Sequence, residues 1–356
     1  MLKILFSMQK HLLVILSFLL SSFALQAQDI HFSQFYASPL NLNPAMTGVM
    51  NCTDRLTMSY RNQWASVLKS NAFNTFTASY DRKNTVGRYD YWGFGFNFWG
   101  DRAGELSFAT ISPQISGSYS KRLGGSRKSA HYLSFGVMGG ASNRSIDFLR
   151  AKWGLQAKDG TWIANAPSQE NEGNFNNSFW FGELGAGLLW FSVFDEESSF
   201  YMGGAYSHIT RPNQSFLNEG IDVPLYSKIT LHAGGDLAVT DQISLVPGIV
   251  TFFQGPSFQV NGGTSLRLWL DKSRWTRQAI QFGLWARISN HWQKALETDA
   301  IILSTRLDYN QFTIGFSYDL NVSSLTPASN YNGAVEFSLG YLICGPERRG
   351  VYCPTF

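Results

Sequence analysis

The chain has 356 residues, of which 15% are charged and 15% aromatic, and its formal net charge is +3. Soluble domains average about 25% charged residues. The shortfall, with this share of aromatics, fits a molecule that turns a belt of its surface to lipid. So small a net charge gives no ground for a nucleic-acid partner.

Lys3 and Lys10 precede an apolar run from Leu12 to Leu25, closed by Gln26-Ala27. Residues 1–27 read as a secretory signal cleaved after Ala27, although Leu25 is bulkier than such a site prefers. A retained anchor helix is the alternative. No cysteine stands at the junction, which argues against a lipoprotein. No later run approaches the ~18 consecutive apolar residues of a spanning helix. A closed barrel is then the spanning structure left, because lipid cannot satisfy an open sheet edge.

Residues 28–54 open QDIHFSQFYASPLNLNPAMTGVM, which Pro39 and Pro44 interrupt, so this is no central strand. Asn43-Pro44-Ala45 reads as a helix N-cap with proline at the first helical position, and Gly48 ends the turn. Such a lead-in folds either into a lumen as a plug or along the barrel rim.

From residue 55 to 342 the pattern alternates with period two. In YWGFGFNFW, Trp92, Phe94, Phe96 and Phe98 share one face, and Gly93, Gly95 and Asn97 share the other. The oily face is assigned to lipid and the small one to a lumen. Strands are expected near Arg55–Arg61, Phe73–Tyr80, Tyr91–Trp99, Leu106–Ser120, Tyr132–Asn143, Glu183–Phe191 and Phe200–His208. Seven more fall near Ile229–Val239, Ile243–Phe253, Phe258–Leu270, Ile280–Arg287, Ala300–Leu307, Phe312–Leu320 and Gly333–Leu342. The expected fold is an all-β, antiparallel, up-and-down transmembrane barrel of about fourteen strands, even-numbered as bacterial single-chain barrels are. Long connections fall after odd strands, at Arg144–Gly182, Ile209–Lys228, around His291 and around Thr326. Even connections are tight, which puts them and both termini on the periplasmic side.

HFSQFYASPLNLNPAMTG, YRNQW at Tyr60–Trp64, SYD at Ser79–Asp81 and Ser317–Asp319, DLNVSSL from Asp319 and the terminal CPTF together resemble the PorP/SprF family. These are outer-membrane components associated with type IX secretion and gliding motility in the Bacteroidota. The resemblance implies a barrel in the cell outer membrane, contacting outer-membrane lipids. It also implies a protein partner: a periplasmic ring lipoprotein or subunit, or a large secreted adhesin. No family catalytic residue exists to carry over. The Asn43-Pro44-Ala45 motif is also similar to one near the N-terminus of outer-membrane fatty-acid transporters. A transporter for a hydrophobic or small solute is therefore the alternative.

Charges collect on the lumen register: Glu183, His232, Asp236, Arg267, Arg287, Arg306, Asp319 and Glu336. On the lipid face each would cost about 2–4 kcal/mol near the midplane. They form either a selectivity ring for a solute or an ion-pair network that fills the barrel and holds a plug. No GxSxG or HExxH motif is present, and His232 with Asp236 is a pairing any barrel of this size offers, so no enzyme is expected. An oxidising compartment suits a Cys344–Cys353 bridge closing the tail, against three unpaired thiols if Cys52 is counted. The cysteine spacing fits no zinc site, and no cofactor is expected.

The even turns carry Arg82, Lys83, Arg88, Lys121, Arg122, Arg127, Lys128, Lys272, Arg274 and Arg277, and the tail, residues 343–356, adds Arg348 and Arg349. This basic rim either docks an acidic periplasmic partner or simply keeps the turns soluble. In the long loop, Trp153, Trp162, Phe175, Phe179 and Trp180 either bind protein or fold back over the barrel mouth.

Overall fold

The computed structural model describes residues 29–126, 129–152, 156–158, 161–162, 175–194, 198–217, 222–272, 277–291, 294–345 and 353–354. The expected signal, residues 1–27, lies outside them. The chain divides into two compact units, Met1–Ile30 and His31–Phe356, and the barrel and its contents belong to the second.

Alternation dictates the strands, and every expected one is present. In chain order they are β1 (Asp54–Gln63), β2 (Phe73–Val86), β3 (Asp90–Ala103), β4 (Phe108–Gly124) and β5 (Ala130–Ser145). A two-residue pair follows in the long loop, β6 (Ala157–Lys158) and β7 (Thr161–Trp162). Then come β8 (Ser178–Val193), β9 (Ser199–Ser207), β10 (Lys228–Ala238), β11 (Ile243–Gln254) and β12 (Ser257–Lys272). The last four are β13 (Arg277–His291), β14 (Lys294–Tyr309), β15 (Phe312–Asn321) and β16 (Asn332–Ile343). All except β6 and β7 close into one antiparallel barrel of fourteen strands, each paired with its sequence neighbours, and β1 meets β16 to seal the ring.

The two faces separate as the pattern requires. On β3, Trp92, Phe94 and Phe96 are exposed while Gly93, Gly95 and Asn97 are buried. The same outward belt continues through Met58, Ile115, Phe135, Leu188, Leu231, Ile249, Leu284, Leu303, Ile314 and Phe337. An apolar belt of this extent is stable only against lipid. Among the described residues no helix is long and apolar enough to cross a membrane.

One end of the barrel, here the loop end, carries residues 146–177, 208–227, 64–72 and 322–331. The other, the turn end, carries the short connections 87–89, 125–129, 239–242 and 310–311. One expected long loop is absent: β13 runs to His291 and β14 begins at Lys294. Ser289, Asn290 and Glu297 are polar on a ladder that continues past the apolar belt, so the alternation fades there while the pairing does not.

Cysteine pairing also differs from expectation. Cys344 is bonded to Cys52, and Cys353 is a buried free thiol. The cause is the seam. Asp54 is paired with Ile343, so the residues just outside that pair face each other across the closure.

Candidate functional site

The lumen is occupied by the chain's own residues 31–53. Phe32 to Tyr36, Ser38 to Leu40 and Leu42 to Met50 are buried, and this stretch has no Asp, Glu, Lys or Arg. It folds as three short turns, Phe35–Ala37, Pro39–Leu42 and Pro44–Met46, because Pro39 and Pro44 each stand at a first helical position.

Toward the loop end the segment is held by four buried charges on four strands. Arg61 Nη2 lies 2.9 Å from Asp319 and Arg61 Nη1 lies 3.2 Å from Glu336. Arg287 pairs with Asp319 and, at 3.4 Å, with Asp299. The Ser33 and Gln34 amides each donate to Glu336 at 2.8 Å, and the Ser33 hydroxyl donates to Asp319 at 2.8 Å. Charges this deep persist only when paired and hydrogen-bonded, and here the segment's backbone amides contribute two of the bonds.

Midway, Phe35 and Tyr36 pack on Trp285, with ring centroids 5.7 and 5.6 Å away. Asn41 donates to Thr77 at 2.7 Å and accepts from Asn97 at 2.8 Å. The Asn43 side chain caps its turn by accepting from the Ala45 amide at 2.8 Å. Its amide nitrogen donates to the Leu188 carbonyl at 2.9 Å and faces His232 Nε2 at 3.0 Å. Glycines seat the segment: a Cβ on Gly136 would collide with the Pro44–Ala45 peptide, and one on Gly93 with the Thr47 carbonyl.

Toward the turn end, Arg55 grips Asp81 with Nε at 3.0 Å and Nη2 at 2.8 Å. Asp81 also accepts from the Gly48 amide at 2.7 Å, and Arg55 donates to the Met46 and Val49 carbonyls at 3.1 and 3.3 Å. Thr47 meets Ser116 at 2.8 Å. The segment thus touches strands around the whole circumference.

The eight expected lumen charges all face inward but split into separate groups. Arg287, Asp319 and Glu336 belong to the loop-end anchor. Asp236 pairs with Arg267, Arg306 lies 2.9 Å from Asp308, and Arg267 reaches the same carboxylate at 4.0 Å. Glu183 accepts from Gln114 at 2.9 Å and lies 3.6 Å from His208. His232 faces Asn43 and Asp236 faces Arg267, so the drawn His–Asp pair does not form. Arg55, Arg61, Asp81, Asp299 and Asp308 are not among the lumen charges expected from the sequence, although Arg61 and Asp81 lie in the YRNQW and SYD motifs. Arg55 and Arg61 alternate with Leu56, Met58 and Tyr60, and that register was the available signal. Beside Arg267 and Arg306, a cavity of about 20 Å³ is lined by Phe35, Tyr36, Tyr201 and Trp285, room for about one water.

At the turn end, Arg82 lies 3.6 Å from Asp54 and Lys121 lies 2.7 Å from Asp90. Lys83 Nζ donates to the Met50 carbonyl at 2.6 Å. Arg122 donates to the carbonyls of Gly124, Ser126 and Ser129, organising its turn. Arg88 and Arg122 stack on Tyr89 at 5.2 and 4.2 Å, and Lys272 and Arg277 stack on Trp269 at 5.4 and 4.7 Å. Arg127, Lys128, Arg274, Arg348 and Arg349 lie outside the described residues.

At the loop end, Phe148 packs on Phe175 at 4.9 Å and on Phe216 at 6.0 Å, tying residues 146–177 to residues 208–227, and Phe179 on β8 packs on Phe216 at 5.0 Å. Trp180 instead stands on β8, exposed. Trp153 lies outside the described residues, and of Trp162 only the backbone is described.

Residues 24–341 match a protein family described as "Type IX secretion system membrane protein PorP/SprF". No curated protein matches the chain. Among solved structures, the toluene transporter TbuX of Ralstonia pickettii is 11% identical, with 87% of this chain and 94% of that chain covered and a TM-score of 0.47. The CymD monoaromatic hydrocarbon channel is 10% identical, covering 87% and 93%, at a TM-score of 0.45. A bacterial polysaccharide outer membrane secretin is 9% identical, covering 83% and 99%, at a TM-score of 0.37. These are general likenesses of barrel shape.

Proposed function

The chain belongs to the PorP/SprF family of type IX secretion system membrane proteins, and from that premise we propose that it is a non-enzymatic outer-membrane barrel that works by holding another protein. Its turn end faces the periplasm and its loop end the cell exterior, with residues 1–27 removed as the signal. The partner is a periplasmic ring component of the type IX apparatus or a secreted adhesin, met at the basic turn-end rim.

One observation carries this reading over a solute transporter: the lumen is spent on the chain itself. Asp81, Asp319 and Glu336 accept from the backbone or side chains of residues 33–48, and Arg55 donates back to that backbone. The same carboxylates are ion-paired with Arg55, Arg61 and Arg287, so these charges are not left for a selectivity ring. Residues 28–54 act as a resident plug, residues 55–342 as the barrel, and residues 343–356 as a periplasmic tail.

The test is a mild-detergent pull-down from cross-linked native outer membranes, with bound proteins identified by mass. Recovery of a periplasmic ring lipoprotein or a large secreted surface protein is expected. Recovery of the barrel alone with bound lipid or fatty acid would overturn the reading in favour of the transporter.

A further inference from the structure

The loop-end edge of the apolar belt carries a cation that its strand neighbours do not neutralise. On β3 the outward register runs through Trp92, Phe94 and Phe96, and continued by twos it reaches Arg102, which is exposed. The pairing holds that register to the end: Arg102 stands opposite Asn74 on β2 and Ala109 on β4, with no bulge on either side. Asp101 has the opposite register and accepts from buried Thr75 at 2.5 Å. Beside Arg102, Asn74 accepts from Tyr60 and Asn62 at 2.7 Å each, a polar row that marks where the belt ends.

A second guanidinium is brought to the first. The Asp147 amide donates to the Leu106 carbonyl at 2.9 Å, which ties the short turn Phe148–Arg150 to the β3–β4 hairpin. Arg102 Nη2 and Arg150 Nη1 then donate to the same Ser107 hydroxyl, at 2.8 and 3.4 Å. One oxygen thus bridges two like charges, as a phosphate oxygen does. Arg150 has Asp147 at 2.9 Å and Lys152 has Glu105, but among the described residues no carboxylate meets Arg102. At the turn-end edge of β2 and β4 the outward cations are each balanced, Arg82 by Asp54 and Lys121 by Asp90. The surplus therefore belongs to one edge of the belt.

We propose that Arg102 and Arg150 bind the phosphate of an anionic lipid headgroup at the loop-end edge of the barrel. Lipid is the occupant because the site is continuous with the lipid-facing belt. Next below Arg102 on the same register is Gly100, with the Phe76 ring laid across it and Phe98 5.5 Å from that ring. These rings give the acyl chains an apolar track beneath the headgroup. Leu149, next to Arg150, is 94% exposed and adds apolar surface at the same point. The site is independent of the partner-holding reading above.

The full-length barrel, stripped of lipid in uncharged detergent, is offered equal amounts of dioleoyl phosphatidylglycerol and dioleoyl phosphatidylcholine. Native mass spectrometry reads which lipid forms the first adduct. The two share their acyl chains and differ in net headgroup charge, so the ratio isolates the electrostatic part. Phosphatidylglycerol is expected to be preferred about fivefold, the effect of one surplus cation at the membrane surface. Arg102→Gln should bring the ratio to parity, Arg150→Gln should lower it, and Arg102→Lys should keep part of it. Lys121→Ala, at the other edge, should leave it unchanged. A heat-shifted gel band checks that each variant is folded. Absence of a preference, one that Arg102→Gln leaves intact, or a loss that Lys121→Ala matches overturns the proposal. So does a preference abolished by excess inorganic phosphate, which would make a free anion the ligand.

Discussion

Asp319 accepts from two guanidiniums and the Ser33 hydroxyl at once, in a site with almost no solvent. Asp319→Asn should therefore leave Arg61 and Arg287 underpaired and lower stability by about 3–5 kcal/mol. The midpoint of the heat-induced shift on a denaturing gel measures it. Lys121→Ala removes an ion pair whose lysine is largely exposed, and should leave that midpoint almost unmoved. Gly136→Val places branched carbon where the Pro44–Ala45 peptide lies, so residues 31–53 should become cleavable by protease in an intact barrel. Protection equal to the parent would contradict the seating. The inward direction of these charges was legible from alternation alone. Which carboxylate meets which guanidinium was not, because Arg61 with Asp319, and Asp81 with Arg55, depend on strand register and on a segment contributed from outside the strands.

At the scale of elements, the strands were readable because each alternates on its own; β3 announces both faces within nine residues, Tyr91 to Trp99. The seam was not readable. Cys52 and Cys344 are 292 residues apart and meet only because β1 and β16 close the ring, whereas Cys353 was nearer in sequence. Cys353 instead sits under Tyr91, its amide bonded to Asn51 at 2.8 Å. Non-reducing peptide mapping should return a Cys52–Cys344 cross-link and an unmodified Cys353. Loss of either bonded cysteine is expected to cost about 2–4 kcal/mol, again by heat-shift midpoint, and Cys353→Ser clearly less. The segment 31–53 is an element too, though proline and an irregular pattern left open whether it lay in the lumen or on the rim. Deleting residues 31–50 should convert a barrel of low conductance in planar bilayers into an open pore. Unchanged conductance would mean that the segment does not obstruct the lumen.

For the molecule as a whole, two ends of opposite character follow from one barrel. Aromatic loops meet at one end through Phe148, Phe175, Phe179 and Phe216, and short charged turns ring the other. With the lumen filled, the surfaces left for work are these ends. The most direct test places a photo-crosslinking amino acid at Gly87 on the turn end or at exposed Leu149 on the loop end, in living cells. A partner held in the periplasm predicts a discrete, protein-sized adduct at Gly87. An adduct at Leu149 alone, or none at Gly87 in a folded barrel, would contradict it.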